Sequence, residues 1–118
     1  MILVDTSVWV AHLRYGAIGL DVMLQDGYVL CHPFVTGELA CGNLKNRTEI
    51  LSLLQALPMA AQAEPVEVMQ LIDGHHLFGK GLGYIDMHLL ASAMLTKVPL
   101  WTLDQRLHEA ASRLHLSR

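Results

Sequence analysis

The amino-acid sequence predicts an α/β fold in three layers, a central parallel sheet flanked by helices. Two observations carry that expectation. Short apolar runs at residues 2–4, 28–31 and 99–103 alternate with longer stretches of helical periodicity, the pattern of strands joined by crossover helices. The chain has 118 residues with no repeat, linker or low-complexity segment, so residues 1–118 are expected to form one domain around one core.

The first run, Ile2-Leu3-Val4, stops at Asp5-Thr6-Ser7, after which Val8, Trp9, Ala11 and His12 fall on a helix capped by those hydroxyls or by the carboxylate. A second helix is expected over Leu20 to Gln25, then a strand over Tyr28 to Cys31. Pro33 suits the first position of the next helix, and Gly42-Asn43 closes it. Glu49 to Leu57 and Val66 to His76 read as two more helices, bounded by Pro58 and Pro65, with a short strand at Met59 to Ala61 between them. Gly79-Lys80-Gly81-Leu82-Gly83 is a loop leading into a helix from Tyr84 to about Thr96, whose stripe is Ile85, Leu89, Leu90, Ala93 and Met94. A strand over Pro99 to Leu103 precedes a closing amphipathic helix carrying Leu107, Ala110, Ala111 and Leu114.

Composition narrows the function classes. Hydrophobic residues make up 53% of the chain and the mean hydropathy is +0.36, so some apolar surface is expected to meet a partner. The formal charge of −3 excludes a strongly basic nucleic-acid-binding domain, and any such ligand needs a local site. The apolar start lacks the basic region of a signal peptide, and no transmembrane run follows, which points to the cytoplasm. Cys31 and Cys41 are expected to be two buried thiols rather than a disulfide framework.

Four carboxylates occupy positions that need a reason. Asp5 and Asp104 each follow an apolar strand and precede a helix, at the carboxyl ends of strands where open α/β sheets bind ligands. Each also suits a plain helix N-cap. Glu38 falls four residues after Phe34 and three after Val35, within an expected apolar stripe, and Asp86 precedes Leu89 and Leu90 in the same way. Burying an unpaired carboxylate is costly, so these positions call for a cation, a donor network or a cleft. If the four converge, their mutual repulsion favours a hard divalent cation, and an oxygen-only ligand set suits Mg²⁺ or Mn²⁺. Such a site favours phosphodiester hydrolysis by water, with no side-chain nucleophile. Asp5 and Asp86 are the first-choice direct ligands, with Glu38 and Asp104 joining directly or through water. Thr6, Ser7 and Thr102 are placed either to orient ligands or to act as caps and turn residues.

The same segments resemble a known family. Met1-Ile2-Leu3-Val4-Asp5-Thr6-Ser7-Val8-Trp9 is similar to the first motif of PIN-domain ribonucleases, and Pro33-Phe34-Val35-Thr36-Gly37-Glu38-Leu39 to the second. Gly83 to Ala93, containing Asp86, resembles the third, and Trp101-Thr102-Leu103-Asp104-Gln105-Arg106-Leu107 the last. All four motifs occur in order over nearly the whole chain, and within the family they most resemble those of VapC toxins. The resemblance implies a PIN fold, a Mg²⁺- or Mn²⁺-dependent endoribonuclease, and a metal site at Asp5, Glu38, Asp86 and Asp104. It further implies a stand-alone toxin, a homodimer held inactive by a cognate VapB antitoxin whose C-terminal segment covers the site. Residues 45 to 80 are the part in which such toxins vary.

Two bound divalent ions would bring the formal charge from −3 to +1. Arg14, Lys45, Arg47 and Lys80 fall near helix ends or loops and are candidates to steer an RNA backbone, or else ordinary solvated charges. Seven histidines, with the His75-His76 pair and Cys31-His32, lack the spacing of a zinc framework. Gly79-Lys80-Gly81 lacks the rest of a phosphate-binding P-loop. Met23, Met69, Met87 and Met94 read as core. Two rivals remain: a phosphoacceptor receiver module, disfavoured because Asp5 stands alone and Lys97 precedes its strand, and a PIN-like domain that binds RNA or a partner without cutting.

Overall fold

The computed structural model describes residues 1–16 and 18–118. Strands β1 (Ile2–Val4), β2 (Val29–Leu30) and β3 (Leu100–Trp101) form a parallel sheet in the order β2-β1-β3. Between and after them run α1 (Thr6–Tyr15), α2 (Leu20–Gln25), α3 (Pro33–Ala40), α4 (Arg47–Ala56), α5 (Pro65–Gly74), α6 (Tyr84–Thr96) and α7 (Gln105–Arg113). Leu3 is the hub, paired with Leu30 on one side and Leu100 on the other. Single parallel bridges, Cys31 to Met59 and Leu100 to Ser117, extend the two edges. The strand expected at Met59 to Ala61 is thus one bridge long.

Every strand residue is buried, although successive side chains on a strand point to opposite faces. Both faces are therefore covered, which is the three-layer arrangement expected. The strands at 28–31 and 99–103 are shorter than expected, Val29–Leu30 and Leu100–Trp101, and the second ends for a local reason. The N–H groups of Leu103 and Asp104 bond to the hydroxyls of Ser7 and Thr102 at 2.9 and 3.0 Å, so the chain leaves the ladder after Trp101.

Helix α6 departs from the single stripe expected. All residues from Met87 to Ala93 are buried, including His88 and Ser92, because the helix lies between α5 and β3. A helix enclosed on several sides needs small or apolar residues all round, which Leu89, Leu90, Ala91 and Ala93 supply. Leu89 and Leu90 are fully buried, each contributing about 1.5–3 kcal/mol by burial. This packing fixes the start of α6, and with it Asp86.

On α3 the buried pair is Val35 and Leu39, four residues apart; Glu38 is exposed beside them rather than in the apolar stripe. Glu38 instead shares the flanking face with Phe34, four residues before it. Cys31 is buried, and burial pushes its thiol pKa up, but Cys41 is exposed, contrary to the expectation of two buried thiols. The expectation failed for Cys41 because it is the C-cap of α3, beyond the last turn that faces the core. None of the described helices is long and apolar enough to cross a membrane.

Candidate active site at the strand ends

The chain passes from β1 to β2 on one side and returns to β3 on the other, so the carboxyl ends of β1 and β3 flank the point where the connections diverge. That is where open α/β sheets form a crevice. Asp5 and Asp104 stand there, one residue after Val4 and three after Trp101.

Both residues are also helix caps. Asp5 caps α1 through the Ser7 N–H, 3.4 Å from Oδ2, and Asp104 caps α7 through the Leu107 N–H, 3.0 Å from Oδ1. Asp5, only 6% exposed, accepts two further hydrogen bonds on Oδ2, from the hydroxyls of Ser7 and Thr102, each 2.7 Å long. Since each hydroxyl has one proton and gives it to Asp5, both are free to accept, and they do so from the Leu103 and Asp104 N–H groups. Ser7 and Thr102 therefore bind the β3–α7 turn to Asp5. Their 3.2 Å separation is a contact between two oxygens whose protons are already committed.

The other two acids are oriented in the same manner. Thr6 Oγ1 donates to Glu38 Oε1 at 2.7 Å, linking α1 to α3, and the Gly83 N–H donates to Asp86 Oδ2 at 2.9 Å across the first turn of α6. Among the described residues, each of the four carboxylates thus receives its hydrogen bonds on one oxygen. Asp5 Oδ1, Glu38 Oε2, Asp86 Oδ1 and Asp104 Oδ2 are left to accept something else.

Electrostatics link three of them. Asp86, partly buried, has its pKa raised, chiefly by desolvation, against the Gly83 hydrogen bond, and further by the negative charges of Asp5 and Asp104. The three carboxylates are near enough to repel. Among the described residues, no three His, Cys, Asp or Glu side chains already enclose a common point for an ion. Bare like charges have no reason to converge, whereas an oxygen-seeking cation between them removes the repulsion.

A cleft of about 680 Å³ opens beside Thr6 and Glu38, bounded by α1, the end of α3 and the turn before α4. Arg14 and Lys45 line it with Asn43 and Asn46, so two of the four basic candidates meet one of the acids. Arg47 does not line it; its guanidinium donates to the Ala40 carbonyl at 3.0 Å, closing the end of α3. Lys80 lies elsewhere, on the exposed loop before α6.

A second group at the same end joins His32, considered in the sequence only for a zinc framework, to His88, which was not singled out there. His32, the N-cap of α3, accepts from the Phe34 N–H through Nδ1 at 3.0 Å. Phe34 and Tyr84 stand edge-on to His88, with ring centroids 4.7 and 4.6 Å away. His32 and His88 are both buried, and desolvation lowers both pKa values, that of His32 to about 4 with help from His88. The only sequence signal was an aromatic at the start of each of two helices.

A protein-family model described as the PIN domain matches residues 2–113. The chain belongs to the PIN-domain family. It is also 43% identical to Ribonuclease VapC32 of Mycobacterium tuberculosis, in strains CDC 1551 / Oshkosh and ATCC 25618 / H37Rv, over 113 residues that cover 95% of this chain and 91% of each relative. Kinship at that level puts the chain among the VapC ribonucleases of the family. The receiver-module alternative falls with it. The matched span of the PIN domain takes in all four acids and the Ser7–Thr102 link between them.

Proposed function

We propose that residues 1–118 act as one PIN domain, a Mg²⁺- or Mn²⁺-dependent endoribonuclease serving as the toxin of a VapBC toxin–antitoxin pair in the cytoplasm. The observation that carries the metal site is the one-sided hydrogen bonding of the four acids, each pinned through one oxygen with the other free. The donor set fits a hard divalent ion, since it is all oxygen and includes an Asp86 whose ionisation is opposed by desolvation and, further, by Asp5 and Asp104.

Asp5, Asp86 and Asp104 would hold the ion, with Glu38 reaching it directly or through water. The chemistry the ion supplies when bound is activation of a water and neutralisation of phosphate charge. Ser7 and Thr102 hold Asp5 in one rotamer and keep Asp104 beside it; Thr6 does the same for Glu38. Such orienting partners commonly alter metal affinity or activity about 10- to 100-fold. Arg14 and Lys45 would receive the RNA backbone along the cleft, while Arg47, tied to the Ala40 carbonyl, and Lys80, on the loop before α6, are weaker candidates outside it.

The partner assignment rests on exposed apolar surface. Trp9, His12, Leu13, Leu24, Ile50, Leu53, Leu54 and Leu57 line a groove of about 300 Å³ between α1, α2 and α4, adjoining the first cleft through Leu13 and Ile50. A cognate VapB antitoxin would lay an apolar segment there and run its C-terminal end toward the acids. Other exposed side chains, Val66 and Met69 on α5 among them, support a homodimer.

The deciding experiment is cleavage of a mixed RNA pool by antitoxin-free protein with Mg²⁺ or Mn²⁺, with EDTA, and by Asp5→Asn. Divalent-dependent cutting lost in the variant is expected. A folded, metal-loaded protein that cuts nothing, including structured RNAs, would instead support a domain that binds without cleaving.

A further inference from the structure

Arg106 reaches from the segment that carries Asp104 to the loop before Asp86, and although it stands within the last motif, neither the motif nor the comparisons give it a role. It sits in the first turn of α7, two residues after Asp104. Its side chain lies across Gly81: a Cβ on that glycine would meet Nη1 at 2.5 Å and Cδ and Cζ at 3.1 Å. Gly81 in turn lies two residues before Gly83, whose N–H holds Asp86 Oδ2.

Gly81 has φ +77, a conformation that suits glycine, and its missing side chain is the space the guanidinium occupies. Arg47 donates to Ala40 O, and Arg118 stacks over Trp101 with Cζ 3.8 Å from the ring centroid. Among the described residues, by contrast, no hydrogen bond uses the exposed Arg106 guanidinium. An arginine with its stem packed against backbone loses less freedom on binding, and its planar donors match two phosphate oxygens at once. Lys80, the residue before Gly81, adds a second positive charge to the same loop.

We propose that Arg106 is a phosphate clamp: its guanidinium, seated on Gly81, takes a phosphodiester group of the RNA strand beside the acidic site. This rests on the ribonuclease reading, yet it is tested by binding alone. A fluorescein-labelled single-stranded oligoribonucleotide is titrated into Asp5→Asn protein across a KCl series. Converting Arg106→Gln should flatten the slope of log K against log[salt] by about 0.7, one phosphate contact on a single strand, and weaken binding about 4- to 10-fold near 0.15 M salt. Arg106→Lys should keep the slope and lose part of the affinity, because the charge stays and the fork is lost.

Gly81→Ala supplies the second arm. It should weaken RNA binding more in the Arg106 protein than in the Arg106→Gln protein: at φ +77 alanine strains the loop in both, and the excess loss is the part that passes through the displaced guanidinium. An unchanged salt slope in Arg106→Gln, or additive effects of the two substitutions, would overturn the clamp. If the slope is unchanged while the wild-type protein still cuts RNA in Mg²⁺ or Mn²⁺, the clamp alone fails. If the wild-type protein neither binds nor cuts RNA, the ribonuclease reading fails with it.

Discussion

Thr102 tests most directly whether a hydrogen-bond relay holds the acids together. Its hydroxyl is buried, donates to Asp5 Oδ2 at 2.7 Å and accepts from the Asp104 N–H at 3.0 Å. Thr102→Val keeps the shape and deletes both bonds. A bond to a charged group is worth about 1.5–3 kcal/mol and a neutral one about 0.5–1.5 kcal/mol, and the Ser7 hydroxyl still serves Asp5, so the loss should be about 2–3 kcal/mol. Unfolding entropy of about 2.1 cal/mol/K per residue over 118 residues gives about 0.25 kcal/mol/K, and the expected fall in Tm is about 8–12 °C. Thr102→Ser, which retains the hydroxyl and loses one methyl, should cost only about 1 kcal/mol.

The ordering of those two variants is what discriminates. If Thr102 served only to fill space, the volume-conserving valine would be the milder change and serine the harsher one. Urea titrations at neutral pH, with metal-dependent cleavage measured alongside, read the order directly. Valine should also lower cleavage about 10- to 100-fold while serine stays near wild type, because Asp5 and Asp104 lose a shared anchor. A valine variant as stable and active as the serine one would refute the relay.

Three further outcomes follow from other parts of the molecule. Because the folded-state pKa of Asp86 is raised, the folded protein holds its proton more tightly than the unfolded chain, and stability falls as pH rises through the carboxylate range and stays lower above it. In EDTA at neutral pH, Asp86→Asn should therefore be at least as stable as wild type by urea titration, yet gain nothing from Mg²⁺ and cut no RNA; a less stable apo variant would contradict this. His32 behaves in the opposite sense: its folded pKa of about 4 lies below the ordinary 6.5, so stability is complete above pH 6.5 and is lost as pH falls toward 4, by about 2 kcal/mol at pH 5 and at most about 3 kcal/mol at pH 4. Comparing pH–stability curves of wild type and His32→Asn checks it, since the variant should lose that part of the slope. Leu53, 60% exposed in the apolar groove, should tolerate Leu53→Glu within about 0.5 kcal/mol, while antitoxin capture falls at least tenfold and cleavage is retained; unchanged capture by calorimetry would move the antitoxin off that groove.

The legible parts of the sequence were those governed by local rules. Alternation of apolar runs and helical periods gave the α/β layers, and Pro33, Gly83 and the two aspartates marked helix starts because capping depends on neighbours a few residues away. Glu38 and α6 were read less well because burial depends on what packs from outside. The sequence cannot tell that α6 is enclosed through seven successive residues, or that the α3 stripe turns to leave Glu38 open to a cleft. The cap and ligand readings of Asp5 and Asp104 also looked like competitors, but the observed caps do not exclude ligation. A carboxylate has two oxygens, and giving one to a helix N-terminus fixes the direction of the other.

That division of labour also explains how so small a protein can hold several acids at one sheet end. Each charge is partly compensated before any cation arrives: Asp5 by two hydroxyls and an N–H, Asp104 and Asp86 by backbone donors at helix starts, Glu38 by Thr6. Asp86 still carries a penalty, from desolvation and from its two acidic neighbours. On the proposed reading the fold can form without the ion, and the unfavourable remainder at Asp86 is free energy that ion binding would recover. Stability against urea should accordingly rise with Mg²⁺ concentration in wild type, rise less in Glu38→Gln, where an exposed acid is removed, and stay flat in Asp86→Asn. A Mg²⁺ response surviving in Asp86→Asn would locate the ion away from the three coupled aspartates.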